Sequence, residues 1–424
     1  MKNKFIKSTI ILILGGGISK ILSMIIKIFL TRSIGDEGII LYMSILPTFN
    51  LFITLSTLSL STGISKLISE RRSSKKVILS MIPVSLLYNF ILMIILIIIA
   101  PFISNILLKN NNTYYPIICI GFTLPFICLS NILKGYFFGK ERMSPYVISN
   151  IIEQIVRLLF IIFITPKIIK YGPSMVSSFV ILINIISELM STICLIIFIP
   201  NKIINLDNFV FDKIIFKDIL NVSLPTTGSR LIGSISYFLE PVILTYMMSK
   251  SNLNNLMYEY GIITGYVFPL LLIPSFFTSA ISNSLLPIIS LDYSRGEKIH
   301  LKKKLWQAIY ISLGIGIFFT ILFITNGNIL LKYVFNTNLG IKYVKITAPF
   351  FLVHYIQGPL TACLQGMNKA NAAMNGTLIG SVIKNILLLI LPRYINIWGF
   401  IIASIANIFY VTIQHIYQIK KVIC

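Results

Sequence analysis

The sequence predicts an all-α polytopic membrane protein with about twelve transmembrane helices in two parallel six-helix repeats. Three observations lead to this fold class. The 424 residues are 56% hydrophobic and only 12% charged. Apolar runs long enough to cross a bilayer recur along the whole chain, and similar short stretches occur in the same order in both halves. A soluble globular domain could not bury so much apolar sequence.

The first half contains six predicted spans. The first, residues 10–31, follows a basic N-terminus but lacks a small-residue cleavage motif, so we predict a retained helix rather than a signal peptide. The other spans cover residues 39–62, 77–105, 115–136, 146–166 and 174–200. Residues 201–218 are the longest polar-rich connection, which predicts a cytoplasmic linker between an N-terminal lobe, 1–200, and a C-terminal lobe, 219–424.

The second half repeats this plan, with predicted spans at residues 219–247, 257–285, 305–330, 340–366, 371–392 and 395–418. With both termini on one side, the connections on that side carry 22 Lys and Arg residues and the opposite connections carry nine. The positive-inside rule then predicts a cell-membrane protein with both termini in the cytoplasm. The net charge of +23 therefore indicates topology, and we predict no nucleic-acid partner.

Internal similarity supports two related halves. The segment Ser-Lys-Ile-Leu at residues 19–22 matches Ser-Arg-Leu-Ile at residues 229–232, an offset of 210. Gly139 matches Gly366 at an offset of 227. Because six helices per half is an even number, the repeats are predicted to run parallel, related by an axis along the membrane normal. Such an architecture places a substrate near the middle of the membrane.

Five cations and three anions inside the predicted spans are the candidates for a charged site or an internal ion pair: Lys20, Lys27, Arg157, Arg230, Lys384, Glu153, Glu188 and Glu240. Lys20 and Lys27 are seven residues apart, so at about 100° per residue they share one helix face. A lysine near mid-bilayer costs about 3 kcal/mol to insert, which favours a water-filled pathway. Arg230 lies on the first predicted helix of the second half, at the position that matches Lys20. Together, Lys20, Lys27 and Arg230 predict a central anion site. The alternative is that Glu240 or Glu188 neutralises them within a packed bundle.

The remaining charges have both a structural and a functional interpretation. Glu153 and Arg157 are four residues apart on one predicted helix, which favours an internal ion pair that lowers the cost of insertion. Lys384 matches Arg157 at an offset of 227 but has a glycine where the glutamate would be. It is therefore a further candidate for substrate binding, with snorkelling as the alternative. Glu240 precedes a proline, so it could instead mark a bend used in gating.

Neither a cofactor nor a metal is predicted. The five cysteines and three histidines show no spacing typical of metal ligands. No constellation of His, Asp or Cys suggests catalysis, so the chain is not predicted to be an enzyme. Its expected partners are a lipid-linked oligosaccharide substrate, membrane lipids and a possible coupling ion or the membrane potential.

Three stretches carry a resemblance to a known family: ISKILSMIIKIFLTRSIGDEGIILYMSILPTFNLFITLSTLSLSTGISKLISE, LKGYFFGKERMSPYVISNIIEQIVRLLF and SRLIGSISYFLEPVIL. They resemble the stage V sporulation protein B family, in the polysaccharide and oligosaccharidyl-lipid branch of the MOP exporter superfamily. The resemblance covers nearly the whole chain.

This resemblance implies a V-shaped MATE/MOP-type transporter with a cationic cavity. It also implies a flippase for undecaprenyl-linked saccharides, such as the peptidoglycan precursor lipid II or a polysaccharide repeat unit, in sporulation. By position, Lys20 and Lys27 match the first-helix cations of that cavity, and Arg230 matches the seventh-helix cation. Lipid II flippases of this superfamily tend to have a second-helix arginine, where this chain carries Ser56, Thr57 and Ser59.

Two other functions remain open on the sequence. A multidrug and toxin exporter of the same fold would exchange cationic drugs for Na⁺ or H⁺, and it would need an unpaired carboxylate in its cavity. A non-transporting membrane scaffold for envelope assembly would need no charge at the midplane. The lysines of the first helix favour the flippase over both.

Overall fold

A computed structural model describes the chain in four ranges: residues 2–70, 73–200, 212–251 and 255–423. All regular secondary structure in these ranges is helical. The chain divides into two compact units, Met1–Phe238 and Leu239–Cys424. Most of the predicted linker, residues 201–211, lies outside the described residues. The lobe boundaries at 200 and 219 therefore stay predictions.

Among its described residues, the first unit contains seven complete α-helices, and an eighth continues into the second unit: α1 Lys2–Thr57, α2 Leu60–Ser69, α3 Ser74–Phe102, α4 Tyr114–Gly139, α5 Met143–Phe163, α6 Thr165–Ile168, α7 Pro173–Phe198 and α8 Lys213–Ser251. α1 is interrupted at Gly35, whose φ of 70° and ψ of 173° are not helical. Glycine adopts this positive φ without the steric cost that a β-carbon would add. The interruption divides α1 into two segments.

The second unit continues with α9 Leu256–Ile262, α10 Phe268–Leu271, α11 Pro274–Ser294, α12 Lys298–Phe335, α13 Ile341–Tyr355, α14 Gln357–Gly366, α15 Ala370–Ile390, α16 Pro392–Ile395 and α17 Trp398–Ile423. A π-helical turn, Ile263–Val267, joins α9 to α10. Several of these helices begin at or next to proline, which fits the first helical turn because its missing N–H needs no partner there.

By length and apolar composition, nine helices among the described residues could cross a membrane, or ten if the bent pair Leu256–Leu271 and Pro274–Ser294 forms one span. Two features explain why this count is below the predicted twelve. The stretch Leu14–Ser69 counts once, although it covers most of two predicted spans. The tenth predicted span is divided between α13 and α14, which have 15 and 10 residues, and each is too short to count alone.

Close helix packing supports the internal repeat. A β-carbon on Gly139 would lie 2.7 Å from Ile68 Cβ, so α4 packs directly on α2. The matching residue of the second half, Gly366, would place a β-carbon 2.8 Å from Ile289 Cγ2, so α14 packs directly on α11. Each contact lies beside a buried cluster of Leu and Ile side chains. The two matched glycines therefore have the same packing role within their own units.

Candidate functional site

Four ionisable side chains meet inside the first unit, on α4, α5 and α7. Lys134 Nζ lies 3.0 Å from Glu153 Oε2 and 3.7 Å from Glu188 Oε2. Arg157 Nη2 donates a hydrogen bond to Glu153 Oε1 at 3.0 Å. None of the four side chains is more than 23% exposed. We call these residues the Lys134 cluster; two cations and two anions leave it formally neutral.

Lys134 is the residue that the sequence analysis missed. It stands two residues before the end of the predicted span 115–136 and was counted with the cations of the following connection, but the structure places it inside α4, buried between two carboxylates. Moving Lys134 out of the connections lowers their 22 Lys and Arg residues to 21, so the charge asymmetry keeps its direction. A signal was present in the sequence: Glu188 has no Lys or Arg three or four residues away, so it needs a cation from another helix.

The predicted pair Glu153 and Arg157 is in contact across one turn of α5, and Lys134 makes it part of a larger network. Replacing one partner of such a buried pair leaves an uncompensated charge, which costs several kcal/mol. Whether the pair also takes part in gating stays a prediction.

Lys384 and Glu240 form a second buried ion pair, inside the second unit. Lys384 Nζ donates to Glu240 Oε1 at 2.7 Å, and the two side chains are 13% and 7% exposed. The ammonium also lies 4.9 Å from the centre of the Phe400 ring. Lys384 lacks a partner on its own helix, as predicted from Gly380, but α8 supplies one. Glu240 thus neutralises Lys384, and its predicted gating role remains a prediction.

Lys20 and Lys27 lie on the first segment of α1. The Lys20 side chain is exposed and that of Lys27 is partly buried. Ser23, between them on the same side of the helix, donates to Gln154 Oε1 of α5 at 3.4 Å. Among the residues that the structure describes, no carboxylate lies within the 4.0 Å ion-pair distance of Lys27. Lys27 therefore differs from the buried cations of the two ion-pair networks.

Arg230 contacts the break between α1 and α2. Its Nη1 donates to Ser59 Oγ at 3.4 Å. Ser59 and Leu58 have φ values of 49° and 42°, a left-handed conformation that is uncommon for residues with side chains. One turn further along α8, Ser234 and Thr54 share a hydrogen bond of 2.8 Å. The cation from α8 thus reaches the break that precedes α2.

The structure describes the predicted site residues in three local settings. Lys20 and Lys27 share one helix segment, Arg230 lies at the break beside Ser59, and Lys384 belongs to an ion pair of the second unit. That the first three line a single anion-binding cavity stays a prediction.

One cluster of three potential metal ligands occurs among the described residues, at the connection between α11 and α12. Asp292, Glu297 and His300 offer ligand atoms within 4.8 Å of one another. His300 Nδ1 lies 2.7 Å from Asp292 Oδ2, and the backbone N–H of Glu297 donates to the Asp292 carbonyl. These contacts tie the end of α11 to the start of α12, a structural role that requires no ion.

Comparison with protein families agrees with this architecture. Residues 5–291 match the family model described as polysaccharide biosynthesis protein. Residues 263–391 match the MatE family model. The two matches together extend from the first helix to the end of α15.

Individual proteins are similar over nearly the whole chain. Stage V sporulation protein B of Bacillus subtilis (strain 168) is 31% identical over 438 residues, which cover 100% of this chain and 85% of that protein. The lipid II flippase MurJ of the same organism is 24% identical, with 95% of this chain and 80% of that protein covered. The chain is similar in fold to a multidrug resistance MATE family transporter of the MOP superfamily that was solved in an inward-facing conformation, with a TM-score of 0.72, 16% identity and 95% coverage of both chains.

Proposed function

Because this chain belongs to the polysaccharide biosynthesis protein family, we propose that it is a flippase in the cytoplasmic membrane. Its proposed substrate is an anionic, undecaprenyl-linked saccharide. It is a multi-pass membrane transporter of the MOP superfamily. The proposed substrate is lipid II or the lipid-linked repeat unit of a polysaccharide. The name of the stage V sporulation relative supports a role in sporulation.

The observation that supports this proposal is that some cations within the helices have a carboxylate partner and others do not. Lys134, Arg157 and Lys384 each have a carboxylate partner. Lys27 has none among the described residues, and Arg230 contacts a neutral hydroxyl. A cation held in an apolar setting without a carboxylate favours an anionic ligand. The pyrophosphate of a lipid-linked saccharide supplies such a ligand, with oxygens that accept charge-assisted hydrogen bonds.

The pairing of carboxylates with lysines argues against export of cationic drugs. A drug exporter of this fold would need a carboxylate available to a cation. Three glutamates of the predicted spans, Glu153, Glu188 and Glu240, each lie within ion-pair distance of a lysine. A cationic drug would have to displace that lysine and bury its charge at the same time.

A reconstituted transport assay tests the function directly. The purified chain is placed in liposomes with fluorescent lipid II or with the undecaprenyl-linked unit of a polysaccharide, and the labelled lipid reaching the opposite leaflet is measured. We expect translocation of at least one of these lipids and none of an uncharged polyprenol. Absence of translocation of both anionic lipids, together with transport of a cationic dye, would contradict the proposal.

We also propose that both termini are cytoplasmic, from the excess of Lys and Arg in the connections on that side. Reporter fusions after Lys421 and after Ser251 are expected to show opposite sidedness, the first cytoplasmic and the second external. The measurement is paired enzymatic reporters, one active on each side of the membrane. If both sites report the same side, the twelve-span topology is wrong.

A further inference from the structure

The start of α12 presents an exposed basic patch. Residues 298–304 contain four lysines and no acidic residue. Lys298, Lys302 and Lys303 are exposed, and Lys304 is half-buried. Among the described residues, no carboxylate lies within the 4.0 Å ion-pair distance of Lys302 or Lys303. The charge of these two lysines is therefore available to an anionic partner.

The position of the patch along α12 places it at the depth of lipid headgroups. The next charged residue after Lys304 is Lys332, 28 positions later, and both belong to one helix of 38 residues. At about 1.5 Å per residue, they are about 42 Å apart, close to the roughly 40–45 Å of a bilayer with its headgroup regions. Trp306 and Tyr310 follow the lysines and stack with 5.5 Å between ring centroids. Such aromatic residues favour the membrane–water interface.

An exposed apolar surface continues from the patch along the same side of α12. At about 100° per residue, Lys303, Tyr310 and Ile321 lie within about 20° of one another around the helix. Tyr310 and Ile321 are 65% and 58% exposed. A partner bound at Lys303 therefore meets apolar side chains next to the positive charge. This arrangement fits a molecule with an anionic head and an apolar tail better than a nucleic acid or an acidic peptide.

An apolar groove of about 310 Å³ opens on this side, and its lining includes Phe277 of α11 and Gly314 and Phe318 of α12. Among the described residues, no heavy atom outside the helix backbone would lie within 4 Å of a β-carbon on Gly314. Gly314 follows Lys303 by 11 positions, or about 16 Å along the helix. Half of the hydrocarbon core of a bilayer is about 15 Å thick. A fatty acyl chain that descends from a headgroup at Lys303 would therefore reach the groove.

We propose that the start of α12 binds an anionic phospholipid, such as phosphatidylglycerol. Its phosphate accepts charge-assisted hydrogen bonds from Lys302 and Lys303. Its glycerol region contacts Trp306 and Tyr310, and one acyl chain occupies the groove at Gly314. The site uses none of the cations assigned to the transported lipid, so the inference goes beyond the proposed function.

Quenching of tryptophan fluorescence tests the site, because the chain has two tryptophans, Trp306 and Trp398. The full-length Trp398→Phe variant is placed in phosphatidylcholine bilayers that contain either brominated phosphatidylglycerol or brominated phosphatidylcholine. We expect stronger quenching of Trp306 by the brominated phosphatidylglycerol. Equal quenching by the two lipids, or no quenching by either, would overturn the proposal. If Trp398→Phe does not fold, the difference in quenching between the normal chain and Trp306→Phe gives the same quantity.

Two double variants show whether the patch causes this preference. Lys302→Ala combined with Lys303→Ala is expected to lower the preference for phosphatidylglycerol about five- to thirtyfold, the equivalent of about 1–2 kcal/mol for two lysines near anionic lipid. Lys75→Ala combined with Lys76→Ala removes the same charge at the start of α3 and should leave the preference unchanged. An unchanged preference in the first variant, or equal losses in both, would overturn the site.

Competition distinguishes a phospholipid from the transported lipid. Phosphatidylglycerol without bromine should restore the fluorescence of Trp306, and undecaprenyl pyrophosphate should need a higher mole fraction for the same recovery. Recovery at a lower mole fraction of undecaprenyl pyrophosphate would assign the patch to the transported lipid and overturn the proposal. Gly314→Leu fills the groove and should also lower the preference for phosphatidylglycerol. An unchanged preference in that variant would overturn the assignment of the acyl chain.

Discussion

Replacement of Lys27 by alanine is expected to slow flipping of a lipid-linked saccharide by about ten- to a hundredfold, while the amount of protein in the membrane stays normal. A charge-assisted hydrogen bond to phosphate contributes about 1.5–3 kcal/mol, and about 1.4 kcal/mol corresponds to a factor of ten. Lys27 has no carboxylate partner among the described residues, so its removal strands no buried anion. Removing a cation from an apolar helix also lowers the cost of insertion.

The measurement is flipping in proteoliposomes, normalised to the membrane abundance of each variant. Lys27→Arg keeps the charge and should retain part of the activity. Lys76→Ala, at an exposed cation of α3, is the matched control and should flip at the normal rate. Lys20→Ala and Arg230→Ala are expected to impair flipping in the same way as Lys27→Ala. Normal flipping rates for both Lys20→Ala and Lys27→Ala would contradict the anion-binding mechanism and favour a drug exporter or a scaffold.

Lys134→Met is expected to lower the stability of the fold by about 3–5 kcal/mol and to reduce membrane abundance strongly. Lys27→Ala, by contrast, is expected to leave membrane abundance normal. Lys134 contacts both Glu153 and Glu188. Without it, the Lys134 cluster carries a net negative charge in a site that is largely buried, and Glu188 loses its cation. The abundance of the variant in membranes and its thermal stability in detergent are the quantities to measure.

A second substitution distinguishes charge balance from simple loss of packing. Lys134→Met combined with Glu188→Gln makes the cluster neutral again and leaves the Glu153–Arg157 contact in place, so most of the lost abundance should return. Glu153→Ala should also lower abundance, because it leaves Arg157 and Lys134 without their shared partner. A Lys134→Met variant as abundant as the normal protein would show that the cluster does not stabilise the fold. Failure of the double variant to recover would assign the loss to packing.

The sequence by itself determined the features that depend on local composition and on short spacing. Apolar runs such as residues 77–105 and 174–200 predicted helices, because the backbone in lipid must satisfy its hydrogen bonds within the same segment. The spacing of four residues predicted the contact between Glu153 and Arg157, since the α-helix fixes which neighbours meet. The first-helix lysines were likewise identified by their spacing alone.

The tertiary structure alone decided which charges are paired, because those partners come from helices that are distant in the chain. Glu240 and Lys384 are separated by 144 positions, and Arg230 and Ser59 by 171. Lys134 stood at the end of an apolar run, where sequence pattern cannot tell a loop cation from one that packs between two other helices. Burial makes an unpaired charge costly, so the fold selects these pairs. That selection leaves Lys27 without a carboxylate among the described residues, and it separates the candidate ligand-binding cations from the structural ones.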